Sequence, residues 1–457
     1  MPTAIPPRKA STLPCLLLSA WMLGPAHAQW NDLPLQVSGF ATLGLAYHDN
    51  AEAGLVFSGA QKRPVFDGLS ANLDTVAGIQ LDYAPLSSTS FALQVVTRSG
   101  EDWEPKVRMA LARQQLSDNL TLRLGRMRSP VFMDSDSIEI GYSNPMVRPP
   151  MPVYVALANA APFQDGIDLQ WRTMLGEASI LASAFYGRGE HKFYHFDKTG
   201  PVGADIVVEG ITGVSLSASI GATTLRLAHT TTKSFSSKSA EIPYLNQGIR
   251  EVVYGLEATA IGFSNAGLDE LAGDLSREAQ AISAFYDPYK ASPYYTSLGF
   301  TTEIDNWHIV GEWAKLVTNN KTGFVADRTG YELTVAYSLG RFTPYVAISQ
   351  IQRDNKALDT SAFVPTGFDF MSPNIAQLDA GIARLKAGLD NASAMVVGGM
   401  DAVTVGVRFD LQEKMTLKLQ YDVLRSPNAM DAGILVAPKL PYKNQVRLLS
   451  ASLDIVF

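Results

Sequence analysis

From Leu35 to Phe457 the chain keeps returning to one pattern, segments of alternating polarity separated by turn residues. In LQVSGFATLGLAYH, Leu35, Val37, Ala41, Leu43, Leu45 and Tyr47 fall on one side, and Gln36, Ser38, Thr42 and His48 on the other. A period of two means a strand with one face in an apolar medium and the other wetted. GIQLDY and SFALQVVTR repeat the split. Sixteen such segments are expected, at about 35–48, 73–84, 89–98, 106–116, 119–127, 165–174, 177–188, 206–219, 223–232, 293–304, 307–317, 330–339, 342–351, 401–411, 414–424 and 445–457.

The gaps between them are uneven in a regular way. After every even-numbered segment the connection is tight (APLS, SD, LG, IGA, DN, GR, QE), whereas the odd-numbered ones are followed by longer stretches. Short turns at one end and long loops at the other mark a transmembrane β-barrel. An even strand count lets the last strand pair with the first, leaving no backbone group unpaired in lipid. Tyr47, Tyr83, Trp171, Tyr186, Trp307, Trp313, Tyr337 and Tyr421 sit mostly near segment ends on the apolar side, as an interfacial girdle requires. A large soluble sandwich explains neither the loop asymmetry nor the alternating last segment ASLDIVF.

Composition agrees. The first 28 residues carry Arg8 and Lys9, the apolar run LPCLLLSAWML and an Ala26-His27-Ala28 cleavage pattern, which reads as a secretory signal peptide. The only cysteine, Cys15, lies within it, so a chain beginning at Gln29 has neither disulfides nor thiolate metal sites. Past Ala28 no apolar run approaches the roughly 18 residues of a membrane helix. A formal net charge of −7 without basic tracts gives nucleic acid no footprint.

Between the fifth and sixth segments the chain runs GRMRSPVFMDSDSIE and on through Pro145, Pro149, Pro150, Pro152 and Pro162 before strand character resumes near Asp165. Prolines stiffen such a stretch and deny it a continuing ladder. Here the chain resembles the Gram-negative outer-membrane porin superfamily, over essentially all of residues 29–457. The resemblance rests on the leader, the sixteen segments, the terminal Phe457 and the stretch LGRMRSPVFMDSDSIEIGYSNPMVRPPMPVY. That stretch is similar to the third loop of proteobacterial porin-like proteins with GR-x-x-x-P, SDS, GY-x-x-P and RPP patterns. The resemblance implies a third loop, about 128–164, folded into the lumen, and a homotrimer.

A sixteen-stranded barrel is wide enough to hold an aqueous channel. Alternation places Arg98, Arg108 and Arg123 on the inner face, opposite the loop acids Asp134, Asp136 and Glu139. Opposed charges in a narrow pore orient solutes and set ion preference. Arg126 shares parity with the outward Leu122 and Leu124, so it lies either at the rim or inward of a bulge at Gly125. The resemblance favours the lumen for it. The acids fit equally well as partners of Arg128 or Arg148 that hold the loop's own shape. Asp168, Glu303, Glu312, Glu332 and Asp422 are spread along inward positions and read as balancing wall charges.

Two long extracellular loops, about 233–292 and 352–400, carry helical spacing. Leu268, Leu271, Leu275, Ile282 and Phe285 form one stripe; Ile375, Leu378, Ile382, Leu385 and Leu389 form another. They are expected to pack together as a lid over the barrel mouth, with a gate or a partner platform as the sharper alternative. HKFYH (His191, His195) has metal-like spacing only if helical, and it falls in an expected loop. No G-x-S-x-G, H-E-x-x-H or phosphate-binding glycine loop occurs.

The expectation is an all-β chain: a 16-stranded antiparallel transmembrane β-barrel with an inward-folded third loop, without cofactor or catalysis, in the outer membrane of a Gram-negative bacterium. Its partners are membrane lipid, small hydrophilic solutes and ions. It passes those solutes by diffusion, with Asp134, Asp136 and Glu139 on the loop side of the constriction and Arg98, Arg108, Arg123 and Arg126 on the wall side. The alternatives are a selective channel gated by the two helical loops, a receptor or adhesin barrel with a blocked lumen, and an outer-membrane hydrolase.

Overall fold

Alternation dictates a wall with two unlike faces, and the computed structural model builds it. It describes residues 34–154, 163–197, 200–239, 241–286, 290–320, 326–354, 358–394, 399–426, 435–436 and 445–457. The leader expected at 1–28, Pro162 and the segment 155–162 of the third connection lie outside the described residues.

The barrel strands are β1 (Leu35–His48), β2 (Val76–Leu86), β3 (Thr89–Arg98), β4 (Lys106–Ser117), β5 (Leu120–Met127), β6 (Gln164–Leu175), β7 (Ala178–Asp197) and β8 (Gly200–Ile220). They continue as β9 (Thr223–Thr231), β10 (Tyr294–Ile304), β11 (Trp307–Val317), β12 (Arg328–Tyr337), β13 (Phe342–Arg353), β14 (Met400–Gln412), β15 (Met415–Arg425) and β16 (Gln445–Val456). Each pairs antiparallel with its successor, and β16 returns to β1, with Leu43 opposite Leu453 and Thr42 opposite Asp454. The ring is closed. Phe457 and Gly39 exchange backbone hydrogen bonds at 3.0 and 3.1 Å, extending the seam to the last residue.

Even-numbered strands end in turns of two to four residues, several with a left-handed residue such as Gly176, Gly221, Asp305, Gly340 or Lys414. Leu43, Leu45, Ile79, Leu124, Leu225, Ile348 and Leu449 stand on the exposed apolar face, and the expected girdle residues share it, Trp171 and Tyr186 among them. The opposite face is polar and largely covered. Thr42, Asp168, Glu312, Lys418 and Asp454 are all buried there.

Two expectations need correction. The gap expected between the seventh and eighth segments is strand, because β7 and β8 run 20 and 21 residues and stay paired from Ser179↔Ser219 to Asp197↔Gly200. HKFYH therefore lies in a strand, where four residues span about 13 Å, too far for two histidines to share a metal. The fifth connection also holds a helix that no stripe announced, α1 (Glu241–Asn265), ahead of α2 (Asp269–Ser283); the seventh holds α3 (Pro373–Ala394). The expected stripes do meet, but through α1. Ile249, Val252, Leu256 and Phe263 of α1 form one core with Leu275 and Ile282 of α2 and with Ile382 and Leu389 of α3. Gly248 and Gly255 of α1 leave room for Leu385 and Leu378 of α3. Among the described residues no helix is long and apolar enough to cross a membrane, which says nothing about strands.

Unheated protein in detergent should migrate as a compact barrel and shift in electrophoretic mobility on boiling. A mobility unchanged by heat would contradict closure.

Candidate functional site

The described part of the connection from β5 to β6 makes its main charged and hydrogen-bonded contacts on the polar face, at three places around the ring. First, Glu139 is held by Arg98 of β3 and by Arg128, with Arg108 of β4 at 3.7 Å. Arg108 reaches this face through a bulge, since Val95 pairs with Val107 whereas Gln94 pairs with Met109. The Arg108 and Arg128 guanidiniums lie 4.9 and 4.8 Å from the Phe163 ring centre. Glu101, beyond β3, accepts from Lys106 at 2.6 Å and Arg108 at 3.3 Å. Burial alone would raise the Glu139 carboxyl, but Arg98, Arg128 and Arg108 outweigh it and hold it well below the usual carboxylate range.

Second, the stretch from Gly141 to Arg148 lies against β14, β15, β16 and β1. Lys418 donates to Gly141 O at 2.6 Å and Met146 O at 3.0 Å and pairs with Asp454 at 3.0 Å. Arg408 donates to Tyr142 O at 2.7 Å. Arg148 forks onto Asp74 at 2.8 and 2.6 Å and reaches Asp422 at 2.7 Å and Ser450 Oγ at 2.6 Å. Burial works against the Arg148 charge, but Asp74 and then Asp422 outweigh it and push its pKa up. Approach here is close: a Cβ on Gly141 would lie 2.5 Å from Thr42 Oγ1. Only glycine fits.

Third, Phe132 and Met133 lie against β9, β10 and β11. Arg226 donates to Phe132 O at 2.6 Å and Met133 O at 3.2 Å. Glu312 accepts from Met133 N at 3.3 Å and Tyr154 Oη at 2.7 Å. Phe132, Met151, Val153 and Tyr154 share an apolar core with Leu55 and Val65 of the first connection and with Met400, Leu424, Val446 and Leu448 of the wall.

The three acids do not share one arginine wall. Glu139 alone meets Arg98 and Arg108. Asp134 is half-buried in the field of Arg226 and His308, its carboxyl pushed up by burial against their pull. Asp136 is exposed and in the field of Asp168. Arg123 pairs with the wall's own Asp168 at 2.6 Å. Arg126 lies on the apolar side with Leu124 and Ile167, forking onto Asp165 at 2.7 and 2.8 Å, so the placement that the porin resemblance favoured is wrong for it. Gly125 has φ of 126°, yet Leu111↔Gly125 and Ala110↔Arg126 pair without a shift, so no bulge turns Arg126 inward. Period-two parity marked Asp422 correctly; Arg148, outside the strands, gave no signal of its partners.

Arg148→Leu, which leaves Asp74 and Asp422 buried without counter-charge, should cost about 3–5 kcal/mol in denaturant unfolding from lipid vesicles. Arg126→Leu, at an exposed pair, should cost no more than about 1 kcal/mol. Equal costs would contradict this division. The lowered Glu139 pKa makes its contribution complete above about pH 4.3 and lost only as pH falls through the lower folded value. Pepsin at pH 4 should therefore cut the 128–154 stretch faster in Glu139→Gln than in the wild type; equal rates would contradict the clamp.

No family model matches the sequence, and no curated protein does. Solved structures do. The anion-selective porin from Comamonas acidovorans aligns with a TM-score of 0.50 at 10% identity, over 93% of this chain and 99% of that one. The outer membrane channel DcaP of Acinetobacter baumannii gives 0.47 at 10% identity over 93% and 97%. OprB of Pseudomonas putida gives 0.47 at 10% identity over 94% and 96%. At such identity a likeness speaks for architecture only. The chain has the fold of the Gram-negative outer-membrane porins.

Proposed function

We propose that the chain is an outer-membrane channel through which small hydrophilic solutes and ions diffuse passively, with its third connection folded inward as the constriction. One observation carries this reading. The connection meets β3 and β4, then β9 to β11, then β14 to β1, with Met146 packed on β12 and β13 between the last two, so three arcs on different sides of one closed ring hold it. A segment touching all three arcs on the polar face crosses the space the ring encloses. Its backbone groups are satisfied there by wall side chains, the condition for irregular chain at membrane depth.

On this reading Asp136 and Arg123 border the aperture, Asp134 lies at its β9–β11 side, and Glu139 with Arg98 and Arg108 forms a fixed, largely neutralised abutment. Arg126 has no part in it. The resemblance adds a homotrimer and the Gram-negative outer membrane. A passive channel needs no catalytic step. A second reading, a selective channel governed by its extracellular loops, is favoured by the common core of α1, α2 and α3, which makes the fifth and seventh connections one unit.

Single-channel recording in a planar bilayer under a salt gradient tests this. Steady openings are expected, in steps of three for a trimer. Asp136→Asn should move the reversal potential toward anions more than Arg126→Leu does. A silent bilayer from folded protein would overturn the channel, and equal shifts would remove Asp136 from the aperture.

A further inference from the structure

Not every charge on the polar face is balanced. Asp168 has Arg123, Asp422 has Arg148 and Asp454 has Lys418. Glu312 of β11 and Glu332 of β12 stand directly opposite each other, each 4% exposed, and among the described residues neither has a lysine or arginine within ion-pair distance. Glu312 accepts from Met133 N and Tyr154 Oη, whereas Glu332 Oε2 is buried without a hydrogen-bond partner. The Tyr295 hydroxyl of β10, in the field of Glu312 and close to the Ser297 side chain, is also buried and has no partner at hydrogen-bonding geometry. Of the other charged groups nearby, Asp134 adds a third carboxyl from the loop, and His308 of β11 lies in the field of Asp134. Arg226 of β9 spends its donors on Phe132 O, Met133 O and Ser217 Oγ.

Adjacent buried carboxylates without a counter-ion are costly, and one added positive charge relieves them. Among the described residues no group of three or more acids or histidines is placed to hold a metal ion. An ammonium group suits the donor set better: three N–H donors, no acceptor and one charge, against carboxylate and phenol oxygens. Long-range charge points the same way. Residues 241–286 and 358–394, which hold α1 to α3, contain eleven acidic and four basic residues, so their net −7 equals that of the whole chain. A negative field on the long-loop side concentrates cations at the entrance.

We propose that Glu312 and Glu332, with Asp134, Tyr154 and Tyr295 around them, form a subsite for the protonated amino group of a small solute. It rests on the channel reading for how the solute arrives, but binding can be read without conductance. Purified full-length protein in detergent, titrated calorimetrically with methylammonium chloride against a potassium chloride control, should show saturable binding. Glu332→Gln should weaken binding at least tenfold and Tyr295→Phe several-fold, each with wild-type heat-modifiable mobility as the folding control. No binding by the wild type, or equal binding by both variants, would overturn the subsite. Binding with a silent bilayer would keep the subsite and sink the channel; open channels without binding would do the reverse.

Discussion

A strand edge in an apolar medium leaves N–H and C=O groups that no water reaches, so a sheet facing lipid has to close. The pairing of β16 with β1 removes the last edge, from Phe40↔Val456 to His48↔Leu448. Everything else follows from that ring. Closure forces each strand to show one face outward, which fixes the apolar belt of Leu43, Leu124 and Ile348. It also encloses a space that needs something polar to occupy it.

Buried charges organise what lies against the polar face. Glu139 is held by Arg98 of β3 and Arg108 of β4 as well as by Arg128, and Arg148 by Asp74 and by Asp422 of β15, so the third connection is tied to the wall rather than resting on it. Pairs of this kind add little net stability but penalise any other seating of the chain. The apolar core of Phe132, Met151, Val153 and Tyr154 joins the first connection to β10 and β11 on one side and to β13 through β1 on the other. Glu312 and Glu332 stand out because the same rule is not met there by the protein's own cations.

The wall was legible in the sequence because its signal is periodic: a single parity rule placed Tyr47 and Trp313 outward and Asp168 and Asp422 inward. Where parity and resemblance disagreed, over Arg126, parity was the better guide, since Ala110↔Arg126↔Asp165 keeps an unbroken register. Reading failed where no period exists. The loop acids have no repeat to say which wall they face, so Asp134 and Asp136 were grouped with Glu139 although they lie elsewhere. Helix α1 was hidden by Pro243, tolerated in a first turn, and by Gly248, Gly255 and Gly262, which dilute helix propensity. The β7–β8 extension was hidden because HKFYH lacks alternation.

That the third connection is seated against the polar face between β1 and β16 is the claim on which the channel, its aperture and the amine subsite all depend. The most direct test is a cysteine pair, Thr42→Cys with Gly141→Cys, in a chain whose one native cysteine is Cys15. With Thr42 Oγ1 only 2.5 Å from where a Cβ on Gly141 would stand, a disulfide should form on mild oxidation in folded protein from outer membranes, after a small shift of the loop backbone. Recovery of the folded double variant with both thiols free would place the connection elsewhere.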